Sequence, residues 1–254
     1  MIIEAGAEFT LAAIKYGDRE AIRANGKSLT FAQLRDSANR AGSALTALGL
    51  SQGDRVGVLS YNRAEVVALW LGLERFNLVR VVLHSHFDMA THVRTLNDVG
   101  AKALVFDGRF ASAVEANRKS MATVKQFICI GDSAPAWALK YQDLVANAGA
   151  DDPRLDVDEE APCLLQLTSG TTGNPKPWTL THRSWRAVIA TNIEHLDTFG
   201  KGVAAVGHDD VNLHFHALQW ASGFQTLMPY LLRGSRSVIV DDEVFDAKQV
   251  AEVI

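Results

Sequence analysis

Residues 168–176, TSGTTGNPK, bring together side chains and backbone freedom suited to holding a chain of phosphates. Hydroxyls stand at Thr168, Ser169, Thr171 and Thr172, glycines at Gly170 and Gly173, and a cation at Lys176. Glycine lets a backbone turn tightly and approach a ligand, because no Cβ intervenes. Successive amides in such a turn form a concave anion site. The hydroxyls add neutral donors, and the lysine adds a positive point charge. The role is electrostatic and positional; none of these groups is read as a nucleophile. A Walker P-loop needs GK[ST] after its second glycine, whereas NPKP follows Gly173. A flexible surface hairpin is the plainer alternative. The glycine spacing, the following lysine and the strand-like runs on both sides favour phosphate.

Two His-x-His pairs offer a different chemistry: His84-Ser-His86 and His214-Phe-His216, each expected at a strand end. On a strand, alternation would put both imidazoles of a pair on one face, a zinc-like arrangement. His92, His208, Asp209 and Asp210 are candidates to complete such a site. Neither pair has a third ligand at a short, diagnostic spacing, and partly exposed strand-end histidines are the plainer reading. No metal ligand is therefore assigned. A metal-dependent hydrolase built on these pairs remains an alternative, but it leaves the hydroxyl-and-glycine loop unexplained.

The elements around the loop follow an alternating pattern. Leu164–Leu167 and Trp178–Leu180 read as strands, and Thr181 as the N-cap of a helix from Arg183 to about Thr198. Near the N-terminus, a short helix over Phe9–Tyr16 precedes a hairpin turning at Asn25-Gly26. Thr30 with Gln33 forms a capping-box pattern before a long apolar-periodic helix. From Arg55, strands VGVLS, LVRVVL, KALVF and VKQFICI alternate with helical segments, the first of which Asn62 would cap. Strands separated by helices of this length imply right-handed crossovers and a mainly parallel sheet covered on both faces. The expected fold is therefore α/β, with two lobes of mainly parallel sheet flanked by helices. The acidic stretch 148–161 reads as a linker, giving a first lobe at 1–160 and an incomplete second lobe, carrying the loop, at 161–254.

The bulk composition narrows the partners. A hydrophobic content of 48%, a charged content of 21% and a net charge of −4 fit a soluble globular protein with no electrostatic attraction to nucleic acid. No apolar run approaches membrane-spanning length, and the N-terminus is a poor secretory signal. Cys129 and Cys163 sit in apolar strand-like runs and read as buried, reduced residues. A cytoplasmic location is expected.

TSGTTGNPK followed by LTHRS resembles the signature loop of the AMP-forming adenylate-forming enzymes, which include acyl- and aryl-CoA ligases, luciferases and peptide-synthetase adenylation domains. LTFAQL at residues 29–34 resembles an early motif of the same family. The resemblance implies an N-terminal portion of the family's large domain. It implies that Thr168, Ser169, Gly170, Thr171, Thr172, Gly173 and Lys176 hold the phosphates of ATP while a carboxylate attacks the α-phosphate. It further implies Mg²⁺ with the nucleotide, coenzyme A as the thiol, and a carboxylic acid substrate, as in fatty acid metabolism. LHFHALQWASG resembles the segment that borders the acyl pocket, with His216 at the matching position and Trp220 on the following helix. LERFNLVRVVLHS departs from the motif that peptide-synthetase domains carry there, which favours a CoA ligase.

Two departures stand out: Pro177 and Trp178 occupy positions where the family has glycine and a small aliphatic residue. The family's later motifs, with the Glu that holds Mg²⁺ and the catalytic Lys, do not occur in this sequence, which stops inside the helix-like run FDAKQVAEVI. The expectation is a truncated portion that is inactive alone, with a homodimer an open expectation. A catalytically silent lobe retained for packing is the further alternative.

Overall fold

The structure, a computed structural model, describes residues 1–168, 175–199 and 206–240. Strand β1 (Ile2–Glu4) and helix α1 (Ala7–Tyr16) lead into the hairpin of β2 (Glu20–Ala24) and β3 (Lys27–Thr30). Asn25 and Gly26 both take positive φ, 49° and 74°, as a type I′ hairpin turn requires. The capping box forms as the spacing predicts. Thr30 Oγ1 accepts from Gln33 N at 3.2 Å, Gln33 Oε1 accepts from Thr30 N at 2.9 Å, and helix α2 (Phe31–Ala47) begins there.

The alternating region supplies β4 (Arg55–Leu59), α3 (Ala64–Arg75), β5 (Val79–Val82), α4 (Met89–Asp98), β6 (Ala103–Asp107), α5 (Ala111–Asn117), β7 (Gln126–Ile130), β8 (Leu139–Lys140) and α6 (Tyr141–Ala146). Then follow β9 (Asp156–Asp158), β10 (Pro162–Thr168), β11 (Lys176–Thr181), α7 (His182–Phe199), β12 (Val211–His214), α8 (Ala221–Arg233) and β13 (Arg236–Ile239). The helical reading of FDAKQVAEVI lies outside the described residues.

These strands form two larger sheets. The first has the order β11-β10-β5-β4-β6-β7-β8, parallel except for the β10–β11 hairpin. The second has the order β12-β13-β2-β3, and β1 pairs with β9 separately. Strand alternation gives the first sheet two apolar faces. Val56, Val58, Val82, Val105 and Ile128 pack with α2 and α3, whereas Leu59, Val81, Leu83, Leu104 and Phe106 pack with Leu96 and Val114. The α2–α3 crossing is close because Gly72 has no side chain: a Cβ there would lie 2.3 Å from Ala38 O.

Sheet membership does not follow chain order. β10 and β11 extend the sheet begun at Arg55, whereas β2 and β3 pair onto β13 through Ile22–Ala24. The acidic stretch is also docked rather than free. Asn39 Nδ2 donates to Ala150 O at 2.9 Å, Asp152 pairs with the buried Arg75 at 2.7 Å, and β9 pairs with β1.

Candidate nucleotide-binding site

The parallel strands β4, β5 and β10 end on one edge of the first sheet, where open α/β sheets bind ligands. In the β10–β11 ladder, Thr168 is the Cα partner of Lys176, and Leu167 that of Pro177. Residues 169–175 therefore leave and return at one point on that edge. Ser169, Gly170, Thr171, Thr172 and Gly173 lie outside the described residues, and for Thr168 only the backbone is described. Lys176 is exposed at the start of β11. Pro177 is accommodated because β11 is an edge strand with a single neighbour, where a missing donor breaks no inner ladder. Trp178, opposite Gln166, is partly exposed. Past the strand, Thr181 Oγ1 accepts from Ser184 N at 3.2 Å, as its predicted capping role requires.

The turn between β12 and α8 is tied onto this edge from two sides. Asn62 donates to His216 O and Val240 O, both at 3.0 Å, and accepts from Leu218 N at 2.7 Å. Gln219 accepts from Ser85 N at 2.8 Å and donates to Ser85 Oγ at 2.7 Å. The ends of β4, β5 and β12 thus meet through one asparagine and one glutamine. At the end of β6, burial pushes the Asp107 carboxyl up, but Arg109 and Arg63 outweigh it and hold it below the usual carboxylate range.

The histidine pairs differ from the expected strand-end geometry. β5 stops at Val82, so His84 and His86 both lie in the following turn, with His84 buried and His86 exposed. Only His214 of the second pair is within β12; it is buried, and His216 is exposed beyond it. The ring centroids are 5.5 Å and 6.0 Å apart within the two pairs. Among the described residues, no group of three or more His, Cys, Asp or Glu side chains is arranged to hold a metal ion.

His216 lines a cavity of about 370 Å³ between α7, β12 and α8, together with Phe215, Leu213 and Tyr230. Trp220 is not part of that lining. It is half exposed and stands edge-on to His84 with centroids 3.7 Å apart. Phe224 is core: it packs edge-on to Trp70 and stacks on Trp185. Arg80 sits inside this aromatic group, 4.2 Å from the Trp70 centroid and 4.9 Å from that of Phe224. Cys129 and Cys163 are both free thiols and buried.

The family model described as AMP-binding enzyme matches residues 9–254. The chain belongs to the AMP-binding enzyme family. The fatty acid–[acyl-carrier-protein] ligase ScoC of Streptomyces coeruleorubidus is 28% identical over 207 residues, 80% of this chain and 38% of that protein. The 3-methylmercaptopropionyl-CoA ligase of Ruegeria pomeroyi is 34% identical over 162 residues, 61% of this chain and 30% of its own length. The inhibitor-bound N-terminal domain of FACL13 from Mycobacterium tuberculosis has the same fold, with a TM-score of 0.84 at 24% identity, covering 99% of this chain and 60% of that one. The chain spans about a third of the length of these two curated relatives, 38% and 30%.

Within this AMP-binding chain, sequence reasoning missed Asn62 as a tie between sheets. An asparagine before an apolar-periodic helix signals an N-cap. The cap residue is instead Arg63, with no side-chain cap bond, and the Asn62 carboxamide is used on residues 216–240. No helix among the described residues is long and apolar enough to cross a membrane.

Proposed function

We propose that this chain is the nucleotide-binding portion of an AMP-forming carboxylic acid–thiol ligase of the acyl-CoA synthetase type. The observation that supports it best is the β10–β11 ladder, which sets Lys176 opposite Thr168 on the sheet edge where β4 and β5 end. In the first half-reaction a carboxylate oxygen attacks the α-phosphate of ATP, giving acyl-AMP and pyrophosphate. In the second, the thiol of coenzyme A attacks the acyl carbon and AMP leaves, giving a thioester.

The chain's own part in this is to bind and orient. Thr168, Ser169, Gly170, Thr171, Thr172 and Gly173 would bind the β- and γ-phosphates through amides and hydroxyls, and Lys176 would offset their charge. Their value lies in preorganisation, since donors held before the reaction need no rearrangement as charge moves onto pyrophosphate. His216 would border the acid, with Trp220 near it across the β12–α8 turn. Magnesium would enter with the nucleotide, and no step is assigned to it.

By itself the 254-residue chain would bind MgATP without turning it over, because it carries neither the glutamate nor the lysine that the family uses on the phosphates. Calorimetric titration with MgATP, on the wild type and Lys176→Ala, tests the binding. ATP–pyrophosphate exchange by the same protein tests the second statement: turnover would refute it.

A further inference from the structure

The β5–α4 turn and the β12–α8 turn meet residue against residue, Ser85 on Gln219 and His84 on Trp220. From this contact we infer that His84 and Ser85 are positioning residues for the acid substrate, acting through Trp220. The inference rests on the reading that sets residues 216–220 beside the acid, and it deepens that reading by naming what holds the indole there. The contact lies just past the end of β5, the strand that pairs with β10.

The Trp220 side chain is 49% exposed. A half-exposed side chain with nothing behind it exchanges rotamers, and a ligand that needs one of them must offset the loss of the others. Here the choice is made in advance. The His84 and Trp220 rings cross at 74° with centroids 3.7 Å apart, and His84 is itself only 5% exposed, so the support is fixed. Its own turn is locked. Phe87 N donates to His84 O at 2.9 Å, His86 N donates to His84 Nδ1 at 3.4 Å, and Asp88 caps α4 by accepting from Thr91 N at 2.8 Å. On the other side, the buried Gln219 commits both ends of its carboxamide to Ser85, which fixes the backbone adjoining Trp220. A binding side chain is only as well placed as the groups behind it. His84, Ser85 and Gln219 need not touch the acid to govern its affinity.

The test titrates octanoate and phenylacetate calorimetrically in the presence of MgATP. In parallel, the fluorescence of each protein, less that of the same protein carrying Trp220→Phe, isolates the Trp220 indole for acrylamide quenching. His84→Ala and Gln219→Leu are expected to raise that quenching. They should weaken acid binding about two- to tenfold, the cost of ordering one freed side chain, and leave MgATP affinity unchanged. His84→Phe, which keeps a ring against the indole, is expected to retain wild-type quenching and most of the acid affinity. Unchanged quenching or unchanged acid affinity in His84→Ala overturns the inference. So does a His84→Phe protein as impaired as His84→Ala, or a loss of MgATP binding equal to the loss of acid binding. If the wild type binds MgATP but neither acid, or if Trp220→Phe binds the acids as the wild type does, the inference falls and the nucleotide-binding reading stands. If the wild type does not bind MgATP, both fall.

Discussion

Thr168 and Lys176 face one another as the last paired positions at the loop end of the β10–β11 hairpin. The pairing fixes where the intervening loop is anchored, whatever its own path, and it holds the lysine's Cα at the loop's exit. Lys176→Ala should therefore weaken MgATP binding without unfolding the protein. Loss of a charge-assisted contact corresponds to about a tenfold or greater rise in Kd. Calorimetry at low and high salt checks this, since the difference between wild type and variant should shrink as salt rises.

Asn62 is buried and makes three bonds to the chain beyond residue 215. Asn62→Ala would strand the Leu218 amide and two carbonyls, a loss on the order of 2–4 kcal/mol. Urea denaturation measures it. Because His216 is held through its own carbonyl, acid binding should weaken in the same variant.

Glu74 lies beside α7 in a largely apolar groove with Glu8 and Trp185. Burial, reinforced by the Glu8 carboxylate, raises its pKa from 4.5 to about 7. Between those values the folded protein retains a proton that the unfolded chain has lost, so this group's contribution to stability falls as pH rises from 4.5 through 7. Glu74→Gln should remove that fall and be more stable than wild type at pH 8, by about 3 kcal/mol. Arg80, whose own pKa burial lowers to about 10, opposes the rise of Glu74. Arg80→Met should shift the Glu74 titration to higher pH, and denaturation midpoints across pH 5–8 would show it.

Three histidines act in the opposite sense. Burial lowers His84, His92 and His214 from 6.5 to about 4, aided at His84 by His86 and His92, and at His214 by His216. Here the unfolded chain binds the extra proton. The stability they contribute is full above pH 6.5 and is lost as pH falls through about 4. His92→Gln should flatten the acid limb of the stability curve by on the order of 2–3 kcal/mol. An unchanged acid limb would contradict the assignment.

Local chemistry was readable from residues alone. The Asn25-Gly26 turn and the Thr30–Gln33 box both depend on neighbours in sequence, and both formed. The α/β class followed in the same way from alternating apolar runs. What stayed hidden depends on distant partners. Asn62 looks like a helix cap until residues 216–240 arrive beside it, and the β2–β3 hairpin carries no sign that its parallel partner is Ser237–Ile239. His214 and His216 share a motif, but the strand ends between them and separates their environments.

The pairing of β2 with β13 also bears on how the chain is made. Ribosomes emit roughly 5–20 residues per second, so the hairpin ending at Thr30 waits on the order of 10–40 s for Ser237–Ile239 to emerge. Throughout that interval Ile22 and Ala24, sealed in the finished molecule, have only α2 and early helices for cover. Translation speed between Thr30 and Ile239, and chaperones that shield a nascent edge, are therefore expected to govern yield more strongly here than in a fold whose sheets close in the order of synthesis.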